Sequence, residues 1–332
     1  MPIRVATVRA ADIPASQTNF TFYVDLGRVG ATALTLAEAQ SSRWYTDTDL
    51  VTEMAREIVS LTEGHGKYGT LTSTSKVAID YDGIRADYAV SDTFGRNNVW
   101  TGYDVVWHLQ GTTSSTGSYD ITMTNATSGA SGKLGDCYDF PKTADERGQT
   151  TTDAPTTLNT WTASAWVRMD NLINYSGVFH KVSTTRDGAG ANQDIMLIVH
   201  NNGTIGSNDG GAWFFSTAAS IVVSTWFHLS WVRSGTIIAY YVNAVARGTS
   251  TYANSNTAGF KFGVGAWYQP SRAFSPDGKI DSVKFKQTAD SANWITTEYN
   301  NQNDEATFWG TWTTFGGGAA AVNARRLFLM MM

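Results

Sequence analysis

Charge is scarce in this chain. Only 16% of its 332 residues are Asp, Glu, Lys or Arg, and the balance is -5. That excludes a broad nucleic-acid-binding face, which needs clustered Lys and Arg. The one basic pair is Arg325-Arg326, near the C-terminus. Cysteine is scarcer still. Cys137 stands alone, so no internal disulfide can form, and the chain either matures in a reducing compartment or never relied on bridges. No run approaches the roughly 18 apolar residues of a membrane-spanning helix. The start, MPIRVATVRAADIP, lacks the apolar centre of a secretory leader. The expectations are therefore no nucleic-acid partner, no membrane insertion and no export by a standard leader.

What is present favours strands. Aromatics make up 12% of the chain, which also contains 31 Gly and only 6 Pro; Ser, Thr and Asn fill much of the rest. β-Branched and aromatic residues fit a pleated surface, and Gly and Asn fit its turns. The stretch Trp226 to Ala246, WFHLSWVRSGTIIAYYVNAVA, shows this best. It predicts two strands joined tightly at Arg233-Ser234-Gly235-Thr236. Side chains alternate along a strand. Phe227, Leu229 and Trp231 therefore share one face, and Trp226, His228, Ser230 and Val232 the other. In the second strand Ile238, Tyr240 and Val242 oppose Ile237, Ala239 and Tyr241. A hairpin apolar on both sides belongs inside a layered β structure, with a second sheet on one face and loops, a ligand or a neighbour on the other.

Trp-Phe-His-Leu-Ser-Trp-Val followed by Ile-Ile-Ala-Tyr-Tyr-Val-Asn resembles the hairpin of laminin G-like, concanavalin A-type jelly rolls. The family's turn usually carries Asp-Gly where Asn243-Ala244 stands here, and Ala tolerates a left-handed turn poorly. Further segments resemble the same family in order. They are Tyr103–Leu109, Leu134–Phe140, Trp161–Met169, Val178–Lys181, Asp194–His200, Pro276–Phe285 and the closing Trp294–Asn300. The Ser/Thr/Gly-rich residues 110–133 would pass for a linker by composition, but the resemblance keeps them inside this domain.

The first hundred residues are similar to a bacterial and phage domain of unknown function that commonly precedes such a jelly roll. Phe20–Leu26 reads as a strand, and Thr35–Ser42 as a short helix or turn. Asp49–Leu61 has helical propensity with only a partial stripe at Met54, Ile58 and Leu61; the resemblance makes it extended. Asp92–Trp100 is the most specific part. After Asn301, a short strand is expected at Thr307–Thr314. Gly316-Gly317-Gly318 then frees the chain, which ends in a basic, apolar peptide. Arg325, Arg326, Leu327 and Phe328 are candidates for docking a partner, because apolar side chains gain little by standing in water; a disordered tail is the plainer reading. The expected architecture is all-β. Residues 1–100 form a small sandwich, 101–300 a concanavalin A-like (laminin G-like) jelly roll, and 301–332 a C-terminal strand and tail.

Catalytic chemistry is hard to find. His65, His108, His180, His200 and His228 show no metal-ligand spacing. His108 and His228 read as core or half-buried histidines, and Cys137 as a small buried hydrophobe. Jelly-roll glycosidases need two acids on one strand face. Here Asp277 and Asp281 flank Lys279, and the adjacent Asp145 and Glu146 would point to opposite faces. Calcium needs six to eight oxygens; Asp187 and Asp194 are the candidate ligands, although Asp, Asn and Gly are equally turn formers. Otherwise no cofactor is expected. Sugar binding needs an aromatic platform with amide or carboxylate partners. Trp213, flanked by Asn208 and Asp209, and Trp267-Tyr268-Gln269 are the candidates, against the alternative that these rings fill a core or a subunit interface.

The leading expectation is a non-enzymatic phage virion protein, a fibre or decoration subunit of head or tail. It would be assembled in the host cytoplasm with other virion proteins, as a homo-oligomer and by analogy with fibres a trimer, and would present its jelly roll to a host surface glycan. The alternatives are a secreted bacterial carbohydrate-binding or adhesion protein and, behind it, a polysaccharide-degrading enzyme.

Overall fold

A computed structural model describes residues 2–155, 158–182, 195–208, 212–217, 220–251, 260–266 and 274–315. With 45% strand and 12% helix the fold is all-β. Contacts divide the chain into a first unit of residues 1–99 and 300–332 and a second of 100–299.

The first unit opens with β1 (Ile3–Thr7) and β2 (Gln17–Val24), then helix α1 (Leu36–Ser41). It continues with β3 (Arg43–Tyr45), β4 (Glu53–Met54), β5 (Arg56–Ile58), β6 (Gly64–Leu71), β7 (Lys76–Asp80) and helix α2 (Arg96–Val99). Thr35 caps α1 in a reciprocal box with Glu38, which decides the ambiguous stretch in favour of helix. Residues 53–58 are extended, as the resemblance implies and against their helical propensity. The backbone of Arg56 bonds to Phe94, and β5 pairs with β6, so sheet pairing overrides the local preference.

The chain from residue 300 to 315 is part of this unit and not a separate tail. Asn301 brackets Tyr23, accepting from its N–H at 2.6 Å and donating to its carbonyl at 3.0 Å. The Trp309 indole N–H donates to the same carbonyl at 2.9 Å. The strand expected over Thr307–Thr314 is mostly absent. Asp304 accepts from the Thr307 N–H at 3.0 Å and its hydroxyl at 2.6 Å, and so caps a short helix at Glu305–Trp309. Only Thr313–Thr314 is strand, and it pairs with β1. The two sheets run Thr313–Thr314, β1, β7, β3, β4 and β2, β6, β5. Phe22 sits among Trp44, Tyr68 and Trp309, with ring centroids 5.2–5.9 Å away.

Among the described residues the second unit carries fifteen strands. They are β8 (Val105–Trp107), β9 (Ile121–Thr124), β10 (Thr127–Ser131), β11 (Asp136–Pro141), β12 (Arg147–Asp153) and β13 (Thr160–Met169). Next come β14 (Ser176–Val182), β15 (Ile195–Val199), β16 (Ile205–Asn208), β17 (Trp213–Phe215) and β18 (Trp226–Ser234). The last are β19 (Ile237–Val242), β20 (Val245–Thr251), β21 (Lys261–Gly265) and β22 (Asp277–Lys286), followed by helix α3 (Ala292–Asn303). One sheet runs β10-β11-β22-β13-β18-β19-β20, with β8 also on β22; the other runs β17-β16-β15-β14-β21-β12-β9. All these pairs are antiparallel.

Between the sheets lies one apolar core. It takes Phe227, Leu229 and Trp231 from β18 and Ile238, Tyr240 and Val242 from β19, one of the two alternating sets on each strand. Each such side chain, fully buried, contributes roughly 1.5–3 kcal/mol. Their polar atoms are met. Trp231 donates to the Gly206 carbonyl at 3.1 Å, and the Tyr240 hydroxyl lies 3.0 Å from Ser207. Asn243 (φ 50°) and Ala244 (φ 63°) both adopt the left-handed conformation. The Asn243 side chain accepts from the His228 N–H at 2.9 Å, and its own N–H donates to the His228 carbonyl at 2.8 Å. This double bond holds the turn despite alanine.

The other face of β18 is also sealed. His228 and Ser230 are buried there, and Trp166 of β13 meets Tyr299 of α3 at 6.0 Å. Lys284 reaches Glu298 at 2.8 Å, with His228 3.6 Å from the second carboxylate oxygen. Lys286 pairs with Asp290 at 2.8 Å and lies 3.9 Å over the Trp294 ring.

Candidate functional site

The outer face of the seven-stranded sheet is finished differently. Val182, Met196 and Ile198 form a small buried floor there, and Tyr175, Trp213, Phe215 and Phe274 pack over it half-buried. Register explains the grouping. Asn208 lies opposite Trp213, Gly206 opposite Phe215, and Met196 opposite Asn208. Gly206 makes room for a ring, since a Cβ there would come within 2.9 Å of Phe215. The intervening Phe214 packs against the core.

Tyr175 is the hub. Its ring stacks on Trp213 with centroids 4.5 Å apart and planes at 25°. It also lies 5.2 Å from His200 and 5.7 Å from Phe274. Its backbone has φ 60°, rare for a bulky residue, and strain of that kind concentrates at functional sites. His200 sits 4.8 Å from Phe215, and its Nδ1 is 3.1 Å from the Asn202 side-chain oxygen.

Along the same face, β14 contributes His180. It is 1% exposed and lies against the Gly265 backbone. A Cβ on Gly263 would come within 2.1 Å of its Nε2, so glycine is what lets the imidazole lie across the sheet. Burial pushes His180 down to about 3; the Gly265 backbone opposes this and the Arg147 cation adds to it. His180 is therefore neutral at pH 7. Gln149 occupies the next strand but one, in register with Gly263, and its Nε2 is buried without a partner. Arg147, two residues earlier, is paired with Asp145.

Of the residues singled out from the sequence, Trp213 and Asn208 are brought together as cross-strand neighbours. Trp267, Tyr268, Gln269, Asp187, Asp194, Asp209, Arg325, Arg326, Leu327 and Phe328 lie outside the described residues. Tyr175, His200, Phe215 and Phe274 were not foreseen, although Trp213-Phe214-Phe215 carries a visible alternation. Three of the acids weighed as catalysts are held by structural bonds. Asp281, buried, accepts from the Lys133 and Leu134 N–H groups at 2.7 and 2.9 Å, which fixes the β10–β11 connection. Asp277 accepts from Asn171 at 2.8 Å. Glu146, buried, accepts from the Thr143 hydroxyl at 3.1 Å and from the Ala144 N–H and the Ser275 hydroxyl.

The first unit has a cavity of about 140 Å³ lined by Arg56, Asp87, Tyr88 and Arg96, among others. Arg56 is already engaged by Ser42, Gln40 and Asp87, at 2.6–2.9 Å.

Residues 143–296 match the concanavalin A-like lectin/glucanases superfamily. The two packed antiparallel sheets of this part of the chain have the layered form that the match implies. No curated protein matches the sequence. Among solved structures, domain 4 of a GH43 extracellular arabinanase from Geobacillus stearothermophilus, in complex with arabinotriose, is 19% identical. It covers 58% of this chain and 96% of its own, with a TM-score of 0.48. The heptameric SAP-like pentraxin of Limulus polyphemus is 15% identical over 50% of this chain and 84% of its own, with a TM-score of 0.38. The CBM40 of Ruminococcus gnavus IT-sialidase, bound to α2,3 sialyllactose, is 13% identical over 42% of this chain and 82% of its own, with a TM-score of 0.37. The ligands in those complexes belong to those proteins.

Proposed function

We propose that the protein is a non-enzymatic adhesive subunit whose jelly roll binds glycan through the outer face of the seven-stranded sheet. The observation that carries this is the half-buried stack of Tyr175 on Trp213, with Asn208 beside it. A sugar site keeps aromatic faces within reach and sets polar groups at their edge. The absence of catalysis is part of the same reading. It is supported by the use of Asp277, Asp281 and Glu146 as structural acceptors, and the reading needs no cofactor. The setting we propose is a phage particle, as a fibre or decoration subunit. The resemblance of the first hundred residues to a domain of bacterial and phage proteins supports it.

Two experiments test the two levels. Glycan-array binding by the full chain, lost in Trp213→Ala, supports the adhesive reading; reducing-end release from a bound polysaccharide would replace it with an enzyme. Mass spectrometry of purified particles tests the setting, and absence of the chain from every virion band would end the phage assignment while leaving glycan binding untouched.

A further inference from the structure

We infer that His200 is the hydrogen-bonding residue of the proposed glycan site. Its Nε2 meets a sugar hydroxyl beside the Tyr175–Trp213 stack, and Asn202 positions the ring to offer that nitrogen. The inference rests on the glycan-binding reading and adds to it the residue that reads the sugar's hydroxyls.

Aromatic faces hold many sugars alike; orientation and specificity come from the few polar groups placed beside them. Asn208, across from Trp213, is buried and has interactions of its own, so its amide is committed within the fold. His200 is half-buried and meets two of the rings. Its centroid lies 5.2 Å from Tyr175 and 4.8 Å from Phe215, with its plane at 63° and 60° to theirs. A ligand in contact with those rings is within reach of the imidazole.

The turn between β15 and β16 decides which nitrogen is offered. The Thr204 N–H can only donate, and it reaches the Asn202 side chain at 3.0 Å, so the atom it meets is the amide oxygen. The Thr204 hydroxyl donates to that oxygen as well, at 2.6 Å. His200 Nδ1 lies 3.1 Å from the same oxygen and must carry a proton to bond it. This holds for the neutral and the charged imidazole alike. Nε2, on the far side of the ring from Asn202, is the nitrogen left for a ligand. Neutral, it accepts from a hydroxyl; charged, it donates to one, and a sugar hydroxyl satisfies either. The backbone is fixed too. The His200 N–H donates to the Thr204 carbonyl and the Gly203 N–H to the His200 carbonyl, both at 2.9 Å. The ring is thus held before a ligand arrives, and binding costs little ordering entropy.

Affinity electrophoresis of the full chain in gels containing arabinan, galactan, dextran or polygalacturonate identifies a retarding polymer. Two variants then separate packing from hydrogen bonding. His200→Phe keeps a ring against Tyr175 and Phe215 but removes both nitrogens, and binding should fall about tenfold. His200→Gln keeps a polar group at similar reach and should bind within about threefold of wild type. Circular dichroism of each variant controls for folding. Long-range proton–nitrogen NMR is the second measurement. The His200 Nε2 resonance should move on addition of an oligosaccharide of the retarding polymer, and Asn202→Ala should release the ring from its Nδ1–H form. Wild-type binding by His200→Phe, with loss in Trp213→Ala, would make the histidine a packing residue only; it overturns the inference and leaves the glycan site standing. An Nε2 resonance that stays in place at saturation overturns it too, whatever the variants bind. Retardation unchanged in both His200→Phe and Trp213→Ala moves the site elsewhere and removes both readings. No retardation by any of the four polymers, with no binding on the glycan array, does the same.

Discussion

Under helix α3, on the outer face of the eight-stranded sheet, the buried Lys284 and Lys286 each meet a carboxylate at 2.8 Å, and a buried histidine stands beside one of those acids. Across the core, on the outer face of the seven-stranded sheet, four aromatic rings stay half-buried over a small apolar floor. The same jelly roll has therefore closed one face with paired charge and left the other with unspent contact capacity. Ion pairs hidden from water are retained only when both members are present, so the first face reads as structural. The half-covered rings of the second face are what the proposed glycan binding rests on.

The strongest way to break this contrast is to remove one charge from the closed face. Glu298→Gln leaves the Lys284 ammonium buried without its anion, and the expected cost is about 3–5 kcal/mol in denaturant unfolding. A loss below about 1 kcal/mol would mean that the pair is not structural. Replacing Trp213, by contrast, should leave the unfolding midpoint nearly unchanged.

Acid titration separates the faces next. Burial alone would raise Glu298, but Lys284 outweighs it and holds the carboxyl down at about 2, against 4.5 in an unfolded chain. A depressed acid contributes stability above its unfolded value and loses it as the pH falls. The loss should run from about pH 4.5 to 2 and amount to roughly 3 kcal/mol. Burial lowers His228 to about 4 and His180 to about 3, from 6.5. The unfolded chain takes up those protons first, so an earlier limb of destabilisation should begin near pH 6.5. Asp290 works the other way, because burial pushes it up to about 6 from 3.8 and its share of stability is lost as pH rises through that window. Thermal melts of wild type and Glu298→Gln between pH 7 and 3 check the signs. The variant should lack the lower limb and keep the part of the upper one that belongs to His180.

Smaller effects sharpen the open face. Trp213→Ala should weaken glycan binding about tenfold, or roughly 1.4 kcal/mol, with little change in melting. Ala244→Gly, a control on the β19–β20 turn, should stabilise the chain by about 0.5–1 kcal/mol, because glycine carries no penalty at φ 63°. A destabilised variant would show that the Asn243 bracket depends on alanine.

Much of this contrast was legible in the sequence, and the limits have physical causes. Alternation along Trp226–Val242 gave the sets of residues that share a face, because a strand's period is fixed by its pleat, but not which set points inward. It also required cover on the second face. What provides that cover was not readable, since α3 is a polar sequence, ANWITTEYNNQN, that buries Thr297 and Glu298 where an amphipathic helix would bury Leu. The open platform escaped for another reason. Tyr175, His200, Trp213 and Phe274 come from four separate stretches, and no local period links residues that meet only through sheet register. Residues 307–309 were read as the start of a strand because aromatics and Thr favour one, and the cap at Asp304 decided otherwise.

Cys137 has a practical corollary. It lies fully buried on β11, and burial, with Asp281 adding, pushes its thiol up to about 12. A native molecule thus presents almost no thiolate to reagents. One cysteine introduced at an exposed position such as Val245, 52% accessible, would be the sole attachment point for a fluorophore or a surface tether, with no need to delete the natural one.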